Sequence, residues 1–141
     1  MTDLEFQESD NKKRFLKRYR KNVALIDRLK KKIESLDERM TSLRSPKMSD
    51  MPRGGTPVTI EDLIAEKIEI EQRIRRLEDK GRLIKVEILD RIDELDDTRH
   101  VEILESFFID CIDLETIADN NGYTLRHTIR LYSDAIRKMS V

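Results

Sequence analysis

The sequence predicts an all-α protein in which a long antiparallel coiled-coil helical hairpin precedes a C-terminal helix-turn-helix module. Two stripes of apolar residues at heptad spacing predict the hairpin, and short helical segments joined by turn residues predict the module. Charged residues make up 40% of the chain and aromatic residues 5%, which favours long helices over one large core. The predicted parts are a flexible N-terminus at 1–13, the hairpin at 14–95 with its loop at 44–58, and the module at 96–141.

The first apolar stripe starts near Arg14 and ends before the loop. From Ile26 onward its members alternate spacings of three and four residues, the pattern of positions a and d in a coiled coil. Asn22 lies on the same stripe, where a polar residue fixes the register of the pairing. The apolar members are Phe15, Tyr19, Ile26, Leu29, Ile33, Leu36, Met40 and Leu43.

The second apolar stripe follows a segment that contains all three prolines and an adjacent glycine pair, which exclude a continuous helix. Thr59 is the predicted N-cap of the second helix. Gly81 weakens this helix by roughly 1 kcal/mol relative to Ala, and it predicts a bend or a close approach of the first helix. The stripe consists of Ile60, Leu63, Ile70, Ile74, Leu77, Ile84, Ile88 and Leu95, with Lys67, Gly81 and Arg91 at positions it does not fill.

The predicted module contains three short helices. The first carries Val101 and runs to about Asp110, and after a turn at Cys111 and Ile112 the second is capped by Asp113. Asn121 and Gly122 end the second helix, since both tolerate the left-handed conformation. The segment from Thr124 to Met139 contains four basic residues and one acidic residue, so the last helix is the cationic element of the module. We expect Thr124, Leu125, Arg126, His127 and Arg130 to contact double-stranded DNA in the major groove.

The net charge of −1 conceals an uneven distribution. Residues 1–53 contain 15 Lys and Arg against 9 Asp and Glu, whereas residues 96–141 contain 5 against 9. A basic N-terminal part suggests an anionic partner. The candidate phosphate contacts are Lys12, Lys13, Arg14, Lys17 and Arg18. The same run, with Arg20 and Lys21, is equally typical of a solvated coiled-coil face.

Two motifs resemble a known family. The segment Ile117-Ala118 with Gly122-Tyr123-Thr124 and the following helix resembles the fourth region of bacterial sigma factors, and more closely the small sigma region 4-like regulators of phages and prophages of Gram-positive bacteria. The segment 45–55 resembles the loop between the hairpin helices of those regulators. The resemblance implies a late-operon type of transcriptional regulator that binds DNA and, in some cases, RNA polymerase. The loop residues that match are Ser45, Pro46, Met51, Pro52, Arg53, Gly54 and Gly55.

The sequence departs from the family pattern at four places in the module. One is the pair Asn120 and Asn121, which is unusually polar for the end of the first helix of the helix-turn-helix. Cys111 stands in a turn that usually contains Gly, and a non-Gly residue at positive φ costs about 1–2 kcal/mol. Thr128 occupies an expected aliphatic core position, and Tyr132 stands where His is usual. The loop motif has two interpretations, a docking surface for a partner or a simple closure of the hairpin.

Other classes of protein lack sequence support. No apolar run is long enough for a membrane span, and the polar, acidic N-terminus does not resemble a secretory signal, so we expect a cytoplasmic protein. The single cysteine, Cys111, is expected to be a half-buried reduced thiol. His100 and His127 have no neighbours at metal-ligand spacing. Without a nucleophile–base pair or a phosphate-binding glycine loop, we expect no enzyme, no cofactor and no small-molecule substrate.

Two alternatives to a DNA-binding regulator stay open. The first is an adaptor that binds RNA polymerase or another host protein through the acidic module. The second is a DNA-packaging protein of the small-terminase type, which would form a ring-shaped oligomer. Because a two-helix hairpin alone buries little apolar surface, we expect either dimerisation or packing of the hairpin onto the C-terminal part. The expected assembly of the regulator is a homodimer.

Overall fold

The computed structural model describes residues 3–44 and 58–141, and within these ranges the chain is all-helical, as predicted, with no strand. The helices are α1 (Asp3–Arg44), α2 (Ile60–Ile92), α3 (Thr98–Phe108), α4 (Leu114–Asn121) and α5 (Leu125–Lys138). The chain divides into two compact units, one formed by Met1–Val23 with Lys80–Val141 and the other by Ala24–Asp79. This division crosses α1 and α2 and differs from the predicted boundary at residue 96.

Helix α1 begins at Asp3, well before the predicted start near Arg14. No proline or glycine interrupts the residues before Arg14, and Asp3 and Glu5 in the first turn complement the helix dipole. A tertiary contact also holds this segment, because Lys12 Nζ donates a hydrogen bond to the carbonyl oxygen of Arg137 at 2.9 Å. Residues 3–13, which the sequence predicted to be flexible, therefore appear in the structure as helix.

The unit Ala24–Asp79 contains a core made by the two heptad stripes. Lys67, at a stripe position without an apolar residue, pairs with Asp37 at 2.8 Å, and this hydrogen bond raises the pKa of Lys67. Leu43 is 49% exposed, so its predicted place in the core is wrong. The predicted cap is confirmed, since Thr59 Oγ1 accepts a hydrogen bond from the Asp62 N–H at 3.2 Å. The buried core residues are Ile26, Leu29, Leu36, Met40, Leu63, Ile70 and Ile74.

The other unit packs the start of α1 and the end of α2 with the C-terminal helices. Leu16 and Ile92 are fully buried there, although neither belongs to a predicted stripe. Their burial depends on neighbours in α3 and α5, which heptad spacing within α1 or α2 does not reveal. The buried cluster consists of Leu16, Ile84, Ile88, Ile92, Leu104, Phe108, Ile109, Ala135, Ile136 and Met139.

Gly81 marks a close approach of α1 to α2 within this unit, as the sequence predicted. A Cβ atom at residue 81 would clash with the side-chain amide nitrogen of Asn22, which is itself only 7% exposed. Farther along, the Arg18 guanidinium lies 2.9 Å from the Glu87 carboxylate. Because position 22 of α1 faces 81 of α2 and position 18 faces 87, the two helices run in opposite directions here.

No helix among the described residues is both long and apolar enough to cross a membrane.

Candidate nucleic-acid interface

The two ends of α4 are fixed by local hydrogen bonds. Asp113 is the N-cap, and its carboxylate accepts a hydrogen bond from the Thr116 N–H at 2.8 Å, which lowers the pKa of Asp113. Gly122 ends the helix in the left-handed conformation with φ 68°. The following N–H, from Tyr123, donates to the Ala118 carbonyl oxygen at 2.9 Å. These bonds turn the chain within three residues, so that α5 starts at Leu125.

Helices α4 and α5 share a small apolar core with α3. Ile103, Ile117 and Leu131 form this buried cluster, with Tyr123 and Tyr132 packed against it. Ala118 is 2% exposed, which is consistent with a small side chain where the helices come close. The core therefore fixes the side of α5 that faces the protein and, by exclusion, the side that faces solvent.

Thr128 is fully buried in α5, at the position where the family resemblance implies an aliphatic residue. Its hydroxyl donates a hydrogen bond to the carbonyl oxygen of Thr124 at 3.0 Å. The polar group is therefore satisfied inside the first turn of the helix.

The first turns of α5 hold the side chains that the sequence predicted for DNA contact. Thr124 is the N-cap, and its hydroxyl accepts a hydrogen bond from the His127 N–H at 3.1 Å. The His127 ring packs edge-on against Tyr123 with centroids 5.0 Å apart, which leaves it half-buried. Arg126 and Arg130 are exposed. Thr124, Arg126, His127 and Arg130 line one shallow surface depression, and Leu125 beside them is 40% exposed.

Arg20 has a structural role that sequence reasoning missed when it grouped this residue with the basic run. Its guanidinium carbon lies 3.9 Å from the centroid of the Phe107 ring, and Nε donates a hydrogen bond to the Phe107 carbonyl oxygen at 2.7 Å. A longer hydrogen bond at 3.4 Å reaches the carbonyl oxygen of Ile112. Arg20 thus attaches α1 to the α3–α4 turn. Its partners lie far away in the sequence, so no local pattern could have indicated the role.

The predicted phosphate contacts divide into two groups. Three of the five already contact the protein: Lys12 bonds the end of α5, Arg14 pairs with Asp10 at 3.0 Å, and Arg18 pairs with Glu87 and stacks on Phe15. Lys17 is exposed and Lys13 is half-buried. Lys13 and Lys17 are accordingly the stronger candidates for an anion contact from this run.

The turn before α4 has the strained backbone that the sequence predicted. Cys111 has φ 58°. Among the described positions, no other non-glycine residue has a positive φ. Its thiol is exposed, so the expectation of a half-buried thiol is wrong. The thiol donates a hydrogen bond to the Ile109 carbonyl oxygen, with the sulfur at 3.7 Å from that oxygen.

Substituting Cys111 by Gly is expected to stabilise the protein by about 0.5–1 kcal/mol. Relief of the left-handed backbone contributes about 1–2 kcal/mol, and the greater freedom of Gly in the unfolded chain offsets part of it. Urea unfolding followed by circular dichroism measures the change. The matched control is Cys111→Ala, which removes the thiol and keeps the strain, and a similar gain in that variant would contradict the explanation.

Two further predictions concern the loop motif and the two histidines. Ser45, Pro46, Met51, Pro52, Arg53, Gly54 and Gly55 lie outside the described residues. His100 is buried near the Asp97 carboxylate at 3.8 Å, whereas His127 is on α5. In residues 3–44 and 58–141 no group of three His, Cys, Asp or Glu side chains could hold a metal ion.

Comparison of the chain with protein-family models, with curated proteins and with solved structures finds no match.

Proposed function

We propose that the chain is a DNA-binding transcriptional regulator, phage-encoded as the family resemblance implies, in which α4 and α5 act as a helix-turn-helix. Helix α5 would enter the major groove, and α1 with α2 would form a coiled-coil hairpin that supports a homodimer. The observation that carries the proposal is the shared depression lined by Thr124, Arg126, His127 and Arg130, at the start of a helix whose opposite face is buried.

The chemistry of this face suits the major groove. A major groove admits one α-helix, and Arg side chains read guanine through paired hydrogen bonds to O6 and N7. Arg126 and Arg130 are four residues apart and therefore project from the same side of α5, separated by about 6 Å along its axis. Exposed Lys17, with Lys13, would add phosphate contacts that strengthen binding without reading sequence.

We expect Arg126→Ala to weaken binding to the preferred duplex by about 1–3 kcal/mol while changing the affinity for random duplex much less. The preferred duplex is first obtained by selection from a randomised library with the full-length protein. Fluorescence anisotropy titrations at fixed salt then compare the two duplexes.

The matched control is Arg137→Ala, which removes the same charge from the last turn of α5, where Arg137 pairs with Asp134 at 2.7 Å. This variant should keep the ratio of specific to random binding. Equal binding of selected and random duplex by the unaltered protein would refute sequence-specific recognition.

The adaptor function is the second candidate, and the acidic balance of residues 96–141, with 5 Lys and Arg against 9 Asp and Glu, favours it. An acidic surface repels the DNA backbone, but it can dock on a basic protein surface. Recovery of RNA polymerase by the tagged protein after nuclease treatment, together with failure of the duplex selection, would favour the adaptor over the regulator.

A further inference from the structure

Two large aliphatic side chains of α5 are exposed to solvent. Leu125 is 40% exposed and Ile129 is 44% exposed. Farther along the same helix, Leu131, Ala135 and Ile136 are each at most 4% exposed. Single exposed aliphatic residues are ordinary on protein surfaces, but these two are four residues apart and form a continuous row.

This aliphatic row runs beside a cationic one. Arg126 and Arg130 have the same four-residue spacing and follow Leu125 and Ile129 by one position each. Each row spans about 6 Å of helix, close to two base-pair steps of about 3.4 Å. The exposed face of α5 therefore presents two kinds of contact side by side over the same length.

The arrangement restricts the occupant of this face. A second copy of α5 would place cationic rows close to one another, which is unfavourable. A phosphate surface would satisfy the arginines and leave the aliphatic side chains in water. The major groove offers both complements at base-pair spacing, because guanine presents acceptors and thymine presents an apolar C5-methyl group.

We propose that Leu125 and Ile129 are specificity-determining residues that contact thymine C5-methyl groups in the recognised sequence. This inference rests on the proposed DNA-binding function, and it adds which chemical group of the bases the aliphatic row recognises. Neither side chain forms part of the buried core, so truncation of either one to Ala should leave the fold intact.

The test uses the duplex selected with the full-length protein and replaces each thymine in turn by deoxyuridine. This change removes the methyl group and keeps every Watson–Crick hydrogen bond. We expect one or two positions at which the unaltered protein loses about fourfold in affinity, the effect of burying one methyl-sized group. At those positions Leu125→Ala or Ile129→Ala should bind thymine and deoxyuridine duplexes equally.

Two control variants distinguish the contact with thymine methyl groups from DNA binding in general. Ser133→Ala alters an exposed position on the same helix and should keep the discrimination, whereas Arg126→Ala should weaken both duplexes by the same factor. The inference is overturned if the protein binds every thymine duplex and its deoxyuridine counterpart with equal affinity. It is also overturned if both the Leu125→Ala and the Ile129→Ala variants still discriminate between the two duplexes. Neither result contradicts the proposed DNA-binding function. A selection that enriches no sequence overturns both, and capture of a protein partner that depends on Leu125 and Ile129 would then assign this face to protein docking.

Discussion

Truncation of Phe108 to Ala is expected to destabilise the protein by about 3–5 kcal/mol, the largest effect of any single change considered. Phe108 is fully buried in the cluster that joins α1, α2, α3 and α5. Its ring packs edge-on against Phe107 with centroids 4.8 Å apart and stacks with Tyr132 at 5.8 Å. Removing it leaves a cavity bounded by several helices at once, which local relaxation of one helix cannot fill.

Urea unfolding of the full-length protein measures this effect. Leu83→Ala is the control, since Leu83 is 75% exposed and its truncation should change the free energy of unfolding by no more than about 0.5 kcal/mol. Phe108→Leu, which refills much of the volume, should recover a large part of the loss. A cost below about 1 kcal/mol for Phe108→Ala would mean that this core does not couple the C-terminal helices to α1 and α2.

Local signals predicted much of the helical structure. Thr59, Asp113 and Thr124 have short polar side chains that accept hydrogen bonds from the first helical turn, and the structure confirms all three caps. The N-caps Asp113 and Thr124 have φ −75° and −72°. Gly122 likewise ends α4 with the positive φ that the sequence indicated. These features depend on residues within four positions of one another, so a sequence displays them directly.

Tertiary packing decided the features that the sequence did not show. Leu16 is buried by helices more than sixty positions away, and Arg20 bonds the carbonyl oxygen of Phe107, 87 positions along the chain. Leu43 fits the heptad spacing and is nevertheless half exposed near the end of α1. The period of a stripe predicts which face of a helix is apolar, but not how far along the helix a neighbour covers it.

The same distinction applies to the candidate interface. The sequence predicted Leu125, Arg126 and Arg130 from their place near the N-terminus of the cationic last helix, and the structure puts all three at the surface. Ile129 was not among the predicted contacts. Its spacing of four residues from Leu125 was the available signal, and only the burial of the opposite face shows that the pair points to solvent.

Replacing Gly81 by Leu is expected to destabilise the protein by about 3 kcal/mol, the upper part of the range for overpacking a tight site. A Cβ atom at 81 would already clash with the Asn22 amide, and it would lie 3.8 Å from the Tyr19 ring. The additional carbons of Leu would enlarge this clash, and we expect them to be accommodated only if the surrounding side chains or the helices move apart. Thermal and urea unfolding of the variant measure the loss.

The smaller substitution Gly81→Ala isolates the cause through a double-mutant cycle with Asn22→Ala. Helix propensity alone favours Ala over Gly by about 1 kcal/mol, so the substitution should stabilise the Asn22→Ala background, where the clashing amide is gone. In the native background the clash should outweigh that gain and make Gly81→Ala destabilising. Lys80→Gly, at the exposed neighbouring position, calibrates the propensity of this part of α2. If Gly81→Ala stabilised both backgrounds alike, Asn22 would have room to move aside, and the glycine would not be required for the approach of the two helices.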